Sequence, residues 1–237
     1  NVARNSSGTP LISSIFQLAR ETSKSEFMVY VNADIILPPN FQEVVQDVTK
    51  QVDDFLAVGH RWDLDMHEKL SFSPGWFEKL QKGVLERGKK RESFSIDYFI
   101  FPKNLYEHIP NFAIGRTAWD NWMIYHAREQ ELPVIVLSSA LMVIHQNHDY
   151  GHITGKKHKS EEAKANLEAA GGKRNLYYLL DASHELRNGE IHRAQWNLAK
   201  MVRRLERWVT PKVPKGKRWY ISRRLYKLWV KIERQEL

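Results

Sequence analysis

The fold is decided by one stretch of sequence, Glu26-Phe27-Met28-Val29-Tyr30-Val31-Asn32-Ala33-Asp34. Its middle is a short run of aromatic and β-branched residues, which is typical of a buried strand. The run ends in an amide and a carboxylate, and ligands of open α/β sheets bind at the carboxyl ends of the strands. The stretch therefore predicts a strand that delivers Asn32 and Asp34 to a binding site.

Helical and strand patterns alternate on both sides of this stretch. Apolar spacing predicts helices over 11–22, 41–55, 75–87 and 118–130, and short apolar runs predict strands over 55–59, 95–102, 133–138 and 141–145. This alternation predicts an α/β fold with a mostly parallel sheet and flanking helices. Residues 151–174 carry few large apolar side chains and are predicted to form a lid-like loop.

The composition excludes several classes of protein. The chain has 237 residues, 42% of them apolar, and no cysteine, so disulfides, thiolate zinc sites and cysteine nucleophiles are excluded. No run of about 18 apolar residues is present, so no helix spanning a membrane is predicted.

The positive charge is concentrated at the end of the chain. From Arg187 onward there are 15 Lys and Arg residues and 4 Asp and Glu residues, a net charge of +11, which leaves −3 of the total +8 for the preceding residues. Apolar repeats in this part predict two helices separated by Pro211 and Pro214. We therefore divide the chain into a catalytic domain, 1–180, and a basic amphipathic helical extension, 181–237. The extension either packs on the body or binds an anionic membrane surface.

Two further clusters carry side chains suited to chemistry. His145-Gln146-Asn147-His148-Asp149 follows the last predicted strand, and His145 and His148 are candidate metal ligands. Trp119-Asp120-Asn121-Trp122 opens a predicted helix, where aromatic faces suit a sugar ring and Asp120 suits a catalytic base. In both clusters, and at Asp34, a purely structural role is the alternative, because Asp favours turns and helix starts and Trp favours the core.

The order of these motifs resembles the GT-A nucleotide-sugar glycosyltransferases, especially the family-2-like enzymes. The resemblance covers about residues 8 to 152. It implies that Asp34 matches the last carboxylate of the D-x-D metal motif, that His145 first and His148 second complete a Mn²⁺ or Mg²⁺ site, and that Asp120 is the base. The nucleotide-binding βαβ unit that opens such domains would precede Asn1, so a truncated start is expected.

The resemblance implies transfer of a sugar from a nucleotide-diphosphate donor to an acceptor hydroxyl, with inversion. Donor binding is assigned to Asn32, Asp34 and Asp97. Acceptor binding, of a carbohydrate or a lipid-linked molecule, is assigned to Trp62, Asp63, Trp119, Asn121 and Trp122. A cytoplasmic protein, peripheral at the inner face of a membrane, is expected.

Two other functions use the same residues. A metal-dependent hydrolase or nuclease would use the His and Asp cluster and hold nucleic acid on the basic tail, although nucleic acid is the disfavoured partner. A catalytically inactive carbohydrate-binding protein is the third interpretation, because Asn32 occupies the first metal position of the motif.

Overall fold

The computed structural model describes residues 1–66, 68–147, 160–211 and 215–236. The helices in these ranges are α1 (Ile12–Thr22), α2 (Phe41–Thr49), α3 (Trp76–Arg87), α4 (Trp119–Glu129), α5 (Glu161–Ala169), α6 (Leu198–Val209) and α7 (Gly216–Glu236). The strands are β1 (Phe27–Val31), β2 (Ile35–Ile36), β3 (Leu56–Val58), β4 (Arg61–Leu64), β5 (Lys89–Lys90), β6 (Tyr98–Pro102), β7 (Val134–Val136), β8 (Val143–Gln146), β9 (His184–Arg187) and β10 (Glu190–Arg193). The predicted α/β class is confirmed.

The strands form two sheets of mixed direction. A six-stranded sheet has the order β1-β6-β3-β7-β9-β10, and a four-stranded sheet has the order β2-β8-β4-β5. In the large sheet β3, β7 and β9 are parallel, while β6 runs antiparallel to both β1 and β3. The prediction of a mostly parallel sheet is confirmed only in part, because β6 enters between β1 and β3 in the opposite direction and β10 is antiparallel to β9.

Alternating side chains of the large sheet pack against helices on its two faces. Phe99 and Phe101 of β6 lie in one core cluster with residues of α1 and α4, and Tyr98 and Ile100 lie in a second cluster with Val44 and Val48 of α2. These side chains are nearly or fully buried. The alternation follows from the two-residue period of a strand, which sends neighbouring side chains to opposite faces.

Three chain crossings between the two sheets lie at one edge of the large sheet. β1 leads into β2 through residues 32–34, β3 leads into β4 through residues 59–60, and β7 leads into β8 through residues 137–142. In the second crossing Gly59 has no room for a side chain, because a Cβ there would overlap the Tyr98 hydroxyl. Because the three crossings lie at the same edge of the large sheet, the polar residues that they carry also lie at that edge.

Three predicted segments differ from the structure. β1 is an edge strand whose Val29 and Val31 are exposed, so it is not the fully buried strand that its composition predicts. Within the predicted lid loop, residues 161–169 form helix α5, whose buried Asn166 bonds to the backbone of Ala113; residues 151–159 lie outside the described ranges. β9 and β10 complete the large sheet, so the helical extension begins at Leu198 and not at residue 181.

The helical extension is a hairpin that packs on the body through polar as well as apolar groups. Trp229 of α7 is fully buried, and its indole N–H donates to Glu206 of α6 at 3.2 Å. Arg203 of α6 donates from Nη2 to the buried Asp181 at 2.8 Å, and it also donates to Glu206. Among the described residues, no helix is both long and apolar enough to cross a membrane.

Candidate functional site

The first part of the site is built around Asn32, directly after β1. Its side-chain amide donates to Asp97 Oδ1 at 2.7 Å, its carbonyl oxygen accepts from the Tyr30 hydroxyl at 2.9 Å, and its backbone N–H donates to the Asp97 carbonyl at 3.0 Å. Asp97 immediately precedes β6, the neighbour of β1, and this pairing brings residues 65 positions apart into contact. Asn32 and Asp97, both assigned to the donor, thus lie together.

Arg61, at the start of β4, connects this pair to the second part of the site. Its guanidinium donates from Nη1 to Asp97 Oδ2 at 2.6 Å and lies 2.9 Å, through Nε, from Asp63 Oδ1. All three side chains are largely buried. A single arginine between two carboxylates neutralises part of their repulsion, which would otherwise oppose the burial of both charges.

His145 is the centre of the second part of the site. Its Nε2 lies 3.2 Å from Asp34 Oδ2, and its Nδ1 lies 3.3 Å from Asp63 Oδ1. The geometry follows from the small sheet, where β8 lies between β2 and β4: His145 is opposite Ile35, the residue after Asp34, on one side, and opposite Asp63 on the other. One buried imidazole therefore joins two carboxylates from neighbouring strands.

The charges of the site shift the pKa of Asp63. Burial by itself would raise it, but the hydrogen bond from His145 and the nearby charges of Arg61, His145 and Arg91 together lower the pKa of this carboxyl below its ordinary value. Asp63 is therefore ionised at neutral pH and is held by three cationic or hydrogen-bonding neighbours.

Tyr30 indicates that the remaining predicted carboxylates are close to the same place. The pKa of its hydroxyl is raised, first by burial and then by the negative charges of Asp97, Asp120 and Asp34. Its ring also packs edge-on against Trp119 at a centroid distance of 4.9 Å. Asn32, Asp34, Asp97, Asp120 and His145 are thus gathered at one edge of the large sheet, although they lie up to 113 residues apart in sequence.

Asp120 lies in the first turn of α4, and the residue before the helix has an unusual backbone. Ala118 has a φ of +89°, a conformation that costs a non-glycine residue about 1–3 kcal/mol and that is concentrated at functional sites. Asp120 Oδ1 accepts from the backbone N–H of Asn121 at 2.9 Å. The helix N-terminus favours the ionised carboxylate, which is the form that can take up a proton.

Four other predicted site residues are placed elsewhere. The rings of Trp119 and Trp122 are buried, the first against Tyr30 and Phe99 and the second stacked on His126. Asn121 is also buried and donates to the Tyr177 carbonyl.

These placements correct the expectation that Trp119, Asn121 and Trp122 form a sugar platform, because buried rings present no face to an acceptor. Trp62 packs with the cluster under the small sheet that contains Leu64 and Phe77. It therefore lies on the opposite face of β4 from Asp63, since strand neighbours alternate. His148 lies outside the described residues.

Several residues of the site were not assigned from the sequence. Arg91 Nε lies 3.5 Å from Asp63 Oδ2, and Glu233, near the end of α7, accepts from the backbone N–H of Ser93 at 3.0 Å and lies 3.8 Å from His60 Nε2. Arg61 directly precedes Trp62 and Asp63, which are assigned to the site from the sequence, so its position in the sequence could have identified it as a site residue. The sequence did not indicate Glu233, because its contact Ser93 lies 140 residues away and its other contact, His60, is still more distant in sequence.

The donor types fit a divalent cation, although the side chains are arranged as ion pairs. Among the described residues, no group of three or more His, Cys, Asp or Glu side chains is poised to hold a metal ion. Asp34 nevertheless offers a hard carboxylate oxygen and His145 a nitrogen next to it, which suits a cation that takes its other ligands from phosphate and water. A cation there would replace the contact between His145 Nε2 and Asp34.

Comparisons of the chain with protein-family models, with curated proteins and with solved structures found no match.

Proposed function

We propose that the chain is a metal-dependent glycosyltransferase of the GT-A type, which moves a sugar from a nucleotide-diphosphate donor to an acceptor hydroxyl with inversion. The observation that carries this proposal is the convergence of Asp34, Asp97, Asp120 and His145 at the edge where the chain crosses between the two sheets. Ligands of α/β sheets bind at such an edge.

The residues around Asn32 are suited to orienting the donor. The amide of Asn32 is held on both sides, by Tyr30 and Asp97, so its orientation is fixed before any ligand binds. Preorganised polar groups of this kind lower the cost of ordering a ligand. Asp97 in turn accepts from Arg61 at 2.6 Å, which fixes its position where it is largely buried.

Asp34 and His145 would hold Mn²⁺ or Mg²⁺ at the diphosphate. When bound, such a cation offsets the negative charge that develops on the diphosphate leaving group as the glycosidic bond breaks. Asp63 holds His145 from its other ring nitrogen at 3.3 Å, and this contact fixes the orientation of the imidazole towards Asp34.

Asp120 would act as the base at the acceptor. As the acceptor oxygen forms its bond to the anomeric carbon, the bond from that carbon to the diphosphate oxygen breaks, and the hydroxyl proton passes to the Asp120 carboxylate. Its place in the first turn of α4 and its bond from the Asn121 N–H fix this carboxylate at the edge of the site.

Thermal unfolding with a panel of nucleoside diphosphates, each with and without Mn²⁺, tests the donor site. A nucleoside diphosphate with Mn²⁺ at about 100 times its Kd should stabilise the fold by about 2.7 kcal/mol. For a chain of this size that is an increase of about 5–11 °C in Tm. The increase should be absent in Asp34→Ala and retained in Asp54→Ala, which removes an exposed carboxylate before the amino end of β3, whereas the site follows the carboxyl ends of β1 and β3.

The same panel distinguishes the proposal from its main alternative. No increase in Tm with any nucleoside diphosphate, together with metal-dependent cleavage of a nucleic acid or an ester, would replace the transferase with the hydrolase.

A further inference from the structure

The outer face of α6 is apolar, and its inner face holds charged groups. Arg203 and Glu206 are buried against the body with Ala199 and Val202. The side chains on the other side form an exposed apolar stripe, which consists of Leu198 (57% exposed), Met201 (55%), Leu205 (55%) and Trp208 (79%). This is the reverse of an ordinary surface helix, whose apolar stripe faces the core.

The sequence spacing shows that this stripe is continuous. Its four residues follow one another at intervals of three, four and three positions, which places them on one side of an α-helix over about 15 Å. Trp196, which is 63% exposed, precedes the helix, and its ring lies 5.3 Å from the guanidinium of Arg204. A contiguous exposed patch of this kind marks a surface that contacts an apolar partner.

A basic groove lies directly beside the stripe. It has a volume of about 1150 Å³ and is formed by α6, by the end of α4 and by the segments around residues 171–183 and 193–196. Six cationic side chains line it: Arg128, Arg174, Arg193, Lys200, Arg204 and Arg207. Of the two acidic residues that line it, Asp181 is already paired with Arg203 and Arg207.

The cations of the groove are crowded together. Burial, followed by the charges of Arg128 and Arg174, lowers the pKa of Arg207 to about 10. Among the described residues, Arg174, Arg193, Lys200 and Arg204 have no ion pair with a carboxylate within 4.0 Å. An anion in the groove would therefore relieve repulsion between like charges as well as gain attraction.

We propose that α6 and the basic groove beside it form a docking surface for an anionic lipid bilayer. The apolar stripe would lie in the plane of the membrane, buried about 5–10 Å into the boundary between headgroups and acyl chains. The groove would hold the phosphate groups of anionic headgroups. Exposed tryptophans at both ends of the stripe suit this interface, because an indole has an apolar body and one polar N–H.

Charge distinguishes the bilayer from other occupants of this surface. In a symmetric pair of chains, each stripe would face its copy and the flanking Lys200, Arg204 and Arg207 would be brought towards cations of the same sign. A nucleic acid or an acidic glycan would fill the groove and leave the apolar stripe in water. Of these occupants, an anionic bilayer is the one that provides for both the stripe and the groove.

Sedimentation with unilamellar vesicles tests the proposal, and it needs no catalytic activity. The full chain should partition onto phosphatidylcholine vesicles that contain phosphatidylglycerol, and much less onto phosphatidylcholine alone. Leu205→Gln and Trp208→Ala should each reduce partition by about tenfold. This estimate assumes that the membrane removes about half of the apolar surface of the side chain from water. The matched control is Leu85→Gln, which changes an apolar residue of α3 that is 65% exposed and should leave partition unchanged.

Substitutions of charge form the second arm of the experiment. Lys200→Gln and Arg204→Gln should each reduce partition onto the anionic vesicles by about fivefold. Lys82→Gln, on the exposed side of α3, is their control. All the substituted side chains are exposed or line the open groove, so unchanged circular dichroism and an unchanged Tm establish that the variants are folded.

Three results would overturn the proposal. The first is an absence of binding to anionic vesicles. The second is a loss of binding in Lys200→Gln and Arg204→Gln while Leu205→Gln and Trp208→Ala still bind as the wild type does. That result would make the groove a site for soluble anions. The third is a mass in light scattering that falls from dimer to monomer in Leu205→Gln, which would assign the stripe to a second copy of the chain.

Discussion

Replacement of Arg203 by Met tests how the helical hairpin is held to the body. Arg203 donates to Asp181 from Nε at 3.0 Å and from Nη2 at 2.8 Å, to the Leu176 carbonyl at 2.7 Å, and to Glu206. Met resembles the unbranched aliphatic part of Arg and carries no charge, so the substitution leaves two buried carboxylates without their main cation. The same change at Arg204, which is exposed at the next position of α6, is the control.

The expected loss of stability follows from the burial of this network. Removal of one partner from a buried ion pair costs about 3–5 kcal/mol. Asp181 keeps Arg207 at 3.3 Å and the backbone N–H of Tyr178 at 2.9 Å, so we expect the lower end of this range, about 3 kcal/mol. For a chain of this size the corresponding decrease in Tm is about 6–12 °C. Arg204→Met should change the free energy of unfolding by no more than about 0.5 kcal/mol.

The effect should depend on pH in a defined direction. Burial already raises the pKa of Asp181, and loss of Arg203 removes the charge that opposes this increase. In the variant, the pKa of Asp181 should therefore be higher in the folded state than in the unfolded chain. The folded state then binds this proton at a higher pH, so its stability relative to the unfolded chain increases as pH falls from 7 towards 5. The difference between wild type and variant should shrink over that range.

Chemical denaturation at pH 7 and pH 5, followed by tryptophan fluorescence, measures both effects. The fluorescence includes that of the buried Trp229, which donates to Glu206 in the same network. The view that this network fixes the hairpin would be refuted if Arg203→Met unfolded at the same denaturant concentration as the wild type. It would also be refuted if Arg204→Met lost as much unfolding free energy as Arg203→Met.

Three further predictions concern single side chains. Asp120→Asn should reduce the rate of sugar transfer by about 10²–10⁴ while the Tm increase caused by nucleoside diphosphate and Mn²⁺ persists; a near-normal kcat would remove Asp120 from the role of base. The lowered pKa of Asp63 stabilises the fold above the pKa of about 3.9 of an unfolded Asp, so the stability difference between wild type and Asp63→Asn should be full at pH 7 and decline below about pH 4; a difference that does not change with pH in denaturant titrations would contradict this. Trp229→Ala should cost about 3–5 kcal/mol of unfolding free energy and Trp208→Ala less than about 0.5, because the first ring is fully buried and the second is 79% exposed; equal losses in thermal unfolding would show that burial is not the cause.

The apolar elements of the fold could be predicted from sequence. The helices α1 and α4 and the strands β1 and β3 carry clear apolar periodicity or short apolar runs, and each begins and ends within a few residues of its predicted bounds. β4 and β9 were missed because their sequences, Arg-Trp-Asp-Leu and His-Glu-Leu-Arg, are rich in charge and match no apolar template. Their stability comes from pairing with strands distant in sequence, which a local pattern does not record.

Only part of the candidate site could be predicted from the sequence, because Trp119, Asn121 and Trp122 are buried elsewhere and the ion pairs of Arg61 and Arg91 were not expected. The chain order of Asp34, Asp120 and His145 brought these residues into one hypothesis, and the fold gathers them. The sequence did not indicate that His145 lies between two carboxylates, since this depends on the order β2-β8-β4 in the small sheet.

The helical extension shows a further limit of sequence patterns. In the sequence of α6, Leu198, Val202, Leu205 and Val209 form an apolar repeat at helical spacing, which predicts that these four side chains share one buried face. The body instead receives the side of the helix that carries Val202 and the buried Arg203, and it leaves Leu198 and Leu205 outside. The fixed partner of Arg203 at Asp181 determines this rotation, and no rule of apolar periodicity includes such an ion pair.

The position of His145 between two strands also limits how this sequence can change over evolutionary time. Because one imidazole serves both Asp34 and Asp63, a substitution at any of the three positions changes the neighbours on which the other two depend. Effects of substitutions at residues in one network are not additive. A lineage that loses one of the three residues therefore removes the selective reason for keeping the others, and we expect Asp34, Asp63 and His145 to be inherited, or replaced, together.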